Sequence, residues 1–203
     1  MPSSLLKFVK QYSVKIGDRR YKVVKIGNQL WMAENLDYKF DGLSIGTSSS
    51  SSIRAYYINN NEATYGIDGT YKCGLMYTWY ASNYLNNNKS TLLPDGWHVP
   101  EQSEWDTLIT TVGNNPGTKL KSLDKSVTSS WPSGWNGTND YGFNALPGGE
   151  SGVSFGSKAS FQCSSQFSTA NSPIYELNTG SAFTRYSNSK SNVHNVRLVK
   201  TIA

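Results

Sequence analysis

The chain has 203 residues and a formal charge of +5, which leaves room for one domain with a genuine core or two very small ones. Mean hydropathy is -0.50, and no apolar run approaches the roughly 18 residues of a membrane helix, so a helical bilayer span is excluded. The sequence holds 29 Ser, 19 Asn and 18 Gly, with 16% charged and 13% aromatic residues; that is the composition of an extracellular β-rich or loop-rich binding surface rather than of a cytosolic helical enzyme.

Residues 1–11 form an N-terminal extension whose one short apolar patch lacks a small-residue cleavage site, so it does not read as a signal peptide. A single domain is expected over residues 12–203. From Tyr12 to Asp37 the pattern is that of strands. Tyr12, Val14 and Ile16 alternate, Gly17-Asp18 breaks the run, Tyr21 to Ile26 resumes it, and Gly27-Asn28 turns into Gln29-Leu30-Trp31-Met32. Residues 44–52 hold six serines and a threonine and predict a surface loop.

A short helix is expected from Tyr77-Thr78-Trp79-Tyr80 through Leu85, followed by a turn at Leu93-Pro94-Asp95-Gly96. Trp105, Leu108, Ile109 and Val112 fall at i, i+3, i+4 and i+7 between Pro100 and Gly113, the best-signalled helix of the chain. Residues 131–149 are dense in Gly, Pro and aromatic rings without either periodicity, which predicts ordered irregular structure packed on the core. In the tail, strands are predicted at Ile174 to Asn178, Ala182 to Tyr186 and Val196 to Val199. Cys73 and Cys163, 90 positions apart, match neither a disulfide framework nor a zinc pattern and read as two free or buried thiols, with a single disulfide as the alternative. The 19 Lys and Arg are spread too thinly to track a phosphate backbone, so nucleic acid is not an expected partner.

Six strings in order resemble the Fibrobacter succinogenes major paralogous domain. They are Ile26-Gly27-Asn28-Gln29-Leu30-Trp31-Met32-Ala33-Glu34-Asn35-Leu36-Asp37-Tyr38, Gly74-Leu75-Met76-Tyr77-Thr78-Trp79-Tyr80, Leu93-Pro94-Asp95-Gly96-Trp97-His98-Val99-Pro100, Glu104-Trp105-Asp106, Gly137-Thr138-Asn139-Asp140-Tyr141-Gly142-Phe143 and Val196-Arg197-Leu198-Val199-Lys200. The resemblance implies an α+β, C-type-lectin-like fold in which N- and C-terminal strands pair, two helices flank small antiparallel sheets, and long irregular segments carry ligand contacts. It also implies a bacterial-surface or phage-associated setting. The chain departs from the family pattern in its tail, at Ala159 to Gln166 and at Ser191 to Arg197. Proteins of similar fold carry there the variable region of diversity-generating retroelements, whose substitutions favour Asn, Ser, Tyr, His, Val and Phe.

Residues 155–195 are therefore the candidate variable binding surface. Its candidate contacts are Gln162, Gln166, Phe167, Asn171 and Ser172, then Tyr175, Asn178, Phe183 and Arg185, then Ser187, Asn188, Val193, His194 and Asn195. Rings among small polar residues are the mixture that paratopes use, although Phe167, Tyr175, Phe183 and Tyr186 are equally able to serve as core. Trp31, Trp79, Trp97 and Trp105 lie inside motifs or on an apolar helical stripe and read as core rather than as sugar platforms. His98 reads as a satisfied structural histidine and His194 as a surface contact.

No nucleophile–base or paired-carboxylate motif accompanies either histidine, so no catalytic residue is expected. No cofactor or metal is expected; the alternative is calcium held among Glu34, Glu104, Asp106, Asp140 and Glu150, although the strings of calcium-dependent sugar binding are absent. Formylglycine-generating enzymes share a related fold and use paired cysteines, which leaves an oxidase-like relative as a further reading. The expectation is a non-enzymatic adhesin on a phage virion or bacterial surface. Its partner would be a bacterial surface protein or glycan, with no membrane insertion and with homo-oligomers allowed. The alternative is a carbohydrate-binding surface protein of fixed specificity from a gut or rumen bacterium.

Overall fold

The computed structural model describes residues 12–46, 73–123, 135–150 and 157–202, and the backbone of 55–57. Two glycine turns build its first sheet. β1 (Tyr12–Ile16), β2 (Arg19–Ile26) and β3 (Gln29–Met32) form an antiparallel meander. Each two-residue connection opens on a glycine of positive φ, 57° at Gly17 and 59° at Gly27, the backbone that matches the strand twist.

A second sheet begins with β4 (Ser44–Ile45), β5 (Ala55–Tyr57) and β6 (Met76–Thr78), which leads directly into α1 (Trp79–Asn87). The Thr78 hydroxyl caps α1 by accepting from the Ala81 N–H at 3.2 Å. After α2 (Lys89–Leu92) comes α3 (Gln102–Val112), whose first turn is closed by the Glu104 carboxylate accepting the Glu101 N–H at 2.9 Å and whose end is Gly113 at φ 71°. Trp105, Leu108 and Val112 form its buried stripe. α4 (Pro116–Leu120) follows, then residues 135–150 run without a named strand, yet Trp135 and Phe143 are buried. Residues 131–134 of the expected irregular segment lie outside the described residues.

The tail supplies β7 (Ala159–Gln162), β8 (Asn171–Leu177), β9 (Phe183–Ser189), β10 (Val193–Asn195) and β11 (Val199–Thr201). β11 returns to β3, giving a four-stranded sheet ordered β1-β2-β3-β11, while the other seven strands run β4-β5-β6-β10-β7-β8-β9. This is a mixed α+β architecture of two sheets with a few short helices. The last strand therefore joins the sheet of the first without being its neighbour.

Several expectations are corrected. Ser44–Ile45, expected as loop, is a short strand pairing β5 in parallel, and 47–52 lie outside the described residues. Of the final predicted strand, Val196 to Val199, only Val199 lies in a strand: residues 196–198 connect β10 to β11, where the chain crosses from one sheet to the other. β7 has an apolar/polar alternation too short to be recognised as a strand, although all four of its residues are buried.

Two apolar clusters meet at β3. Met32 belongs to one with Tyr21, Leu36, Tyr77 and Val196, and Trp31 to the other with Trp105, Phe143, Phe161 and Tyr175. Trp105 is the hub of the second, with ring centroids 4.6 Å from Trp31, 5.3 Å from Tyr175 and 5.6 Å from both Phe161 and Phe183. Trp31, Trp79, Trp97 and Trp105 are all buried, as their motif positions predict.

Candidate functional site

Among the described residues of the tail, only two rings stand well out of the protein, Phe167 at 49% exposure and Tyr186 at 45%. Phe167 sits on the turn that joins β7 to β8. That turn is tied to the scaffold at several points. The Ser164 N–H and the Gln102 N–H bond across it, to Pro100 O at 2.8 Å and to Ser165 Oγ at 3.0 Å, and Trp79 Nε1 donates to Ser165 O at 2.9 Å. Lys190 Nζ donates to Gln166 Oε1 at 2.6 Å while lying 4.0 Å from the Trp79 ring centroid. A ring presented on a turn so fixed loses little conformational entropy on binding.

Tyr186 stands on β9, the edge strand, together with exposed Arg185 and Ser187. Arg185 reaches the Phe167 ring at 5.9 Å and Asp106 of α3 at 3.6 Å, and Asp106 accepts the Tyr175 hydroxyl at 2.7 Å. At the other end of the hairpin, the buried Lys121 ammonium donates to three backbone carbonyls, Asn178 O at 3.0 Å, Thr179 O at 3.4 Å and Gly180 O at 2.9 Å. Burial holds its pKa below the ordinary lysine value. Gly117 lets α4 touch this turn; a Cβ there would meet Ala182 O at 2.3 Å.

Of the sequence-predicted contacts, Gln166, Phe167, Asn171, Asn178, Arg185 and Ser187 are exposed, and Asn188 is half-buried. The remaining seven are buried, so they do not lie on the outer surface where they were expected. Tyr175 and Phe183 pack in the Trp105 cluster, and Val193 is 2% exposed. Gln162, Ser172, His194 and Asn195 form a buried polar set. Gln162 Nε2 donates to Tyr77 O at 2.8 Å, and Asn195 Nδ2 donates to Cys73 O at 2.8 Å. Tyr175 and Phe183 are buried because β8 and β9 turn one face onto α3, a contact no local pattern reveals.

His194 is thus interior rather than a surface contact. Its Nδ1 lies 2.9 Å from Ser160 Oγ, and Ser160 itself donates to Gly149 O at 2.7 Å. The serine proton is already committed, so Nδ1–H is the donor and Nε2 accepts from Asn188 Nδ2 at 3.4 Å. Burial pushes the imidazole pKa down to about 3, aided by the nearby Lys158 charge. A neutral histidine that donates to its serine does not activate that serine as a nucleophile. Beside it Lys158 bridges Glu150 at 2.6 Å and Glu176 at 3.0 Å.

His98 lines a cleft of about 400 Å³ with Lys89, Asp95 and Trp97. Its Nε2 faces both Glu104 oxygens at 2.8 and 2.9 Å, and its Nδ1 faces Gly96 O at 3.2 Å. Both partners accept, so the imidazolium form satisfies both. The Glu104 hydrogen bond accordingly raises the His98 pKa. Four of the five carboxylates weighed for calcium have separate partners: Glu34 accepts the Lys22 N–H, Glu104 binds His98, Asp106 accepts from Tyr175 and Glu150 binds Lys158. Among the described residues no three His, Cys, Asp or Glu gather as metal ligands. Cys73 and Cys163 are both buried and are not joined to each other, and burial raises the pKa of the Cys163 thiol to about 11.

Sequence comparison with curated proteins finds no match, and comparison with solved structures finds none either. The model of the Fibrobacter succinogenes major domain matches residues 24–200, a span that takes in β3, α1, α3, the Arg197 crossover and the exposed β9 hairpin alike. This chain belongs to the Fibrobacter succinogenes major domain family.

Proposed function

We propose that this chain is a non-enzymatic binding domain of C-type-lectin-like fold that displays a changeable surface on a rigid scaffold. The surface wraps the β9 edge, with Asn171, Arg185 and Ser187 on the α3 side beside Gln166 and Phe167, and Tyr186 on the opposite face; it is narrower than the segment 155–195 because seven of the candidates are interior, Asn188 is half-buried and Asn178 lies at the far end of the hairpin. The observation that carries the reading is the pair of exposed rings, Phe167 and Tyr186, among polar neighbours on a turn and strand anchored by Trp79, Gln102, Lys121 and Lys190. Rings give contact area at low entropic cost, and exposed substitutions usually change stability by under about 0.5 kcal/mol, so the surface varies without endangering the fold. The lectin-like assignment is supported by the first and last strands sharing one sheet and by the helices α1 and α3 beside a long irregular segment.

The setting that suits such a surface is a phage or prophage tail adhesin, or another retroelement-diversified protein, whose partner is a bacterial surface protein or glycan. Repeated copies would multiply a weak affinity by avidity. The test is binding of the fluorescently labelled domain to a panel of bacterial cells and to a glycan array, alongside sequencing of the gene neighbourhood. The reading expects cell binding that Phe167→Ala and Tyr186→Ala abolish at unchanged melting temperature, and a near-copy of the tail codons differing at adenines. Glycan binding with an invariant tail would make it a carbohydrate-binding protein of fixed specificity. Binding indifferent to both substitutions would overturn the assigned surface.

A further inference from the structure

The seven-stranded sheet has two unlike edges. One ends in β4, two residues long, and shortness is a usual way of blunting an edge. The other ends in β9, seven residues with no proline and no bulge in its register with β8.

That register says which backbone groups of β9 are spent. Lys190 N–H donates to Ala170 O at 2.9 Å, and the pairing continues as Ser172↔Asn188, Ile174↔Tyr186 and Glu176↔Thr184. In an antiparallel ladder hydrogen-bonded pairs alternate with open ones, so Thr184, Tyr186 and Asn188 bond β8, while Phe183, Arg185, Ser187 and Ser189 aim their N–H and C=O groups outward. Pro173, which has no N–H, sits opposite Ser187 at one of the open pairs, in keeping with this phase. Ser189 satisfies itself locally, its N–H on Asn188 Oδ1 at 2.8 Å and its carbonyl accepting from Asn192 N–H at 3.0 Å. Phe183, Arg185 and Ser187 are left with a donor and an acceptor each, unspent among the described residues.

We propose that the occupant of this edge is the β9 strand of a second copy, antiparallel to the first about a two-fold axis at Tyr186. The residue chemistry selects that register. With the axis at Tyr186, Arg185 of each copy faces Ser187 of the other, both are outward-facing positions, and four backbone hydrogen bonds close. An axis at Arg185 would oppose two guanidinium groups directly, which is destabilising. An axis at Ser187 would spend bonds on Ser189, whose groups are already engaged, and an axis at Thr184 would set Ser187 opposite Ser181, whose carbonyl already accepts the Gly117 N–H at 2.8 Å, and would bring two threonines rather than two rings to the axis. The Tyr186 rings then meet at an open pair, where side chains approach most closely, forming an aromatic cross-strand contact. The interface is isologous, so it closes as a dimer rather than growing into a filament.

The dimer goes beyond the binding reading and does not depend on it; because it brings Tyr186 to the axis, Phe167→Ala, outside the interface, reads the ligand contact alone, while the mass of Tyr186 variants reads the dimer. Because the axis is perpendicular to the continuous sheet, the Phe167 and Arg185 patches of both copies lie on the same side, which would make the assembly bivalent.

The experiment is light scattering coupled to gel filtration over a concentration series of the full chain. The wild-type mass is expected to rise with concentration toward twice 22.4 kDa. Ser187→Pro deletes one outward N–H and no β8 bond, so it should stay at the monomer mass with an unchanged circular dichroism spectrum, while Ser187→Ala still dimerises. Should the proline disturb the fold, Tyr186→Lys places like charges at the axis and is expected to give a folded monomer. Tyr186→Cys is expected to cross-link the dimer under oxidation, since Cys73 and Cys163 are buried. A wild-type chain that keeps the monomer mass throughout, with Tyr186→Cys uncross-linked, overturns the proposal. A dimer that survives both Ser187→Pro and Tyr186→Lys overturns it as well.

Discussion

Arg197 is a buried cation with no ion-paired carboxylate among the described residues, and replacing it tests how the tail is locked to the rest of the domain. Its side chain is 0% exposed and makes four hydrogen bonds. Nε donates to Asn35 Oδ1 at 2.7 Å, Nη1 to Met32 O at 3.4 Å and to Phe143 O, and Nη2 to Asn144 O at 2.9 Å. The guanidinium also lies 4.3 Å from the Phe143 ring centroid and 5.3 Å from that of Phe161. Burial draws its pKa down to about 9, which still leaves it charged at neutral pH. Arg197→Met keeps the stem and removes the charge, so the desolvation cost of the cation vanishes with it. What remains is Asn35 Oδ1 and the carbonyls of Phe143 and Asn144 losing their donor, at about 1–3 kcal/mol for each acceptor left unsatisfied. Allowing for relaxation that re-satisfies part of them, the loss is about 3–5 kcal/mol. That is a large part of the roughly 5–15 kcal/mol by which domains are stable. At about 2–4 °C for each kcal/mol in a chain of this size, the melting temperature should fall by about 6–20 °C. Urea unfolding followed by tryptophan fluorescence measures it. Arg197→Lys should fall comparably, since one ammonium does not reproduce the fork. A loss under about 1 kcal/mol for Arg197→Met would refute the reasoning and mean that water or rearranged backbone serves these carbonyls equally well.

Tyr175→Ala, emptying a site against Trp105, should cost about 3–5 kcal/mol in chemical unfolding, whereas Phe167→Ala and Tyr186→Ala should stay within about 0.5 kcal/mol of wild type. The reverse order would exchange core and surface. The His98–Glu104 pair makes stability depend on pH in two directions. The raised His98 pKa stabilises fully below its ordinary 6.5 and is lost as pH rises through the raised value. Burial alone would raise Glu104, but the His98 and backbone hydrogen bonds lower it, so its contribution is present above 4.5 and lost as pH falls through the lowered value. The melting-temperature gap between wild type and Glu104→Gln should therefore be widest between these two pH values; a gap constant across pH would show that the pair does not titrate with folding. Ellman's reagent should find no reactive thiol in the native protein and two after denaturation, and reductant should leave the melting temperature unchanged. A thiol that reacts in the native state would contradict the burial of the cysteines.

How far the fold was legible follows the range of each signal. The glycine turns at Gly17 and Gly27, the stripe of Trp105, Leu108 and Val112, and the bounds of that helix between Pro100 and Gly113 are all set by residues a few positions apart, and each is where its sequence places it. β7 was not legible, because four residues give too short an alternation and its burial comes from β8 and β10 on either side. The last predicted strand likewise falls mostly on a connection, because β10 pairs in one sheet and β11 in the other and residues 196–198 span the two.

The candidate site divides along the same line. The sequence alone determined the family, the Trp-rich core and a tail rich in rings and small polar residues, since these are statements about which residues are present and in what order. It could not tell Tyr175 from Tyr186, or His194 from Asn171. Strand residues alternate between faces, and which face is covered depends on elements far away in the chain, here α3 against Tyr175 and Phe183 and the Ser160–Gly149 contact around His194. Only the tertiary structure decided which tail residues meet solvent, because burial is fixed by the partners of both faces and both edges of a strand, and the strand's own sequence carries no record of where those partners come to lie.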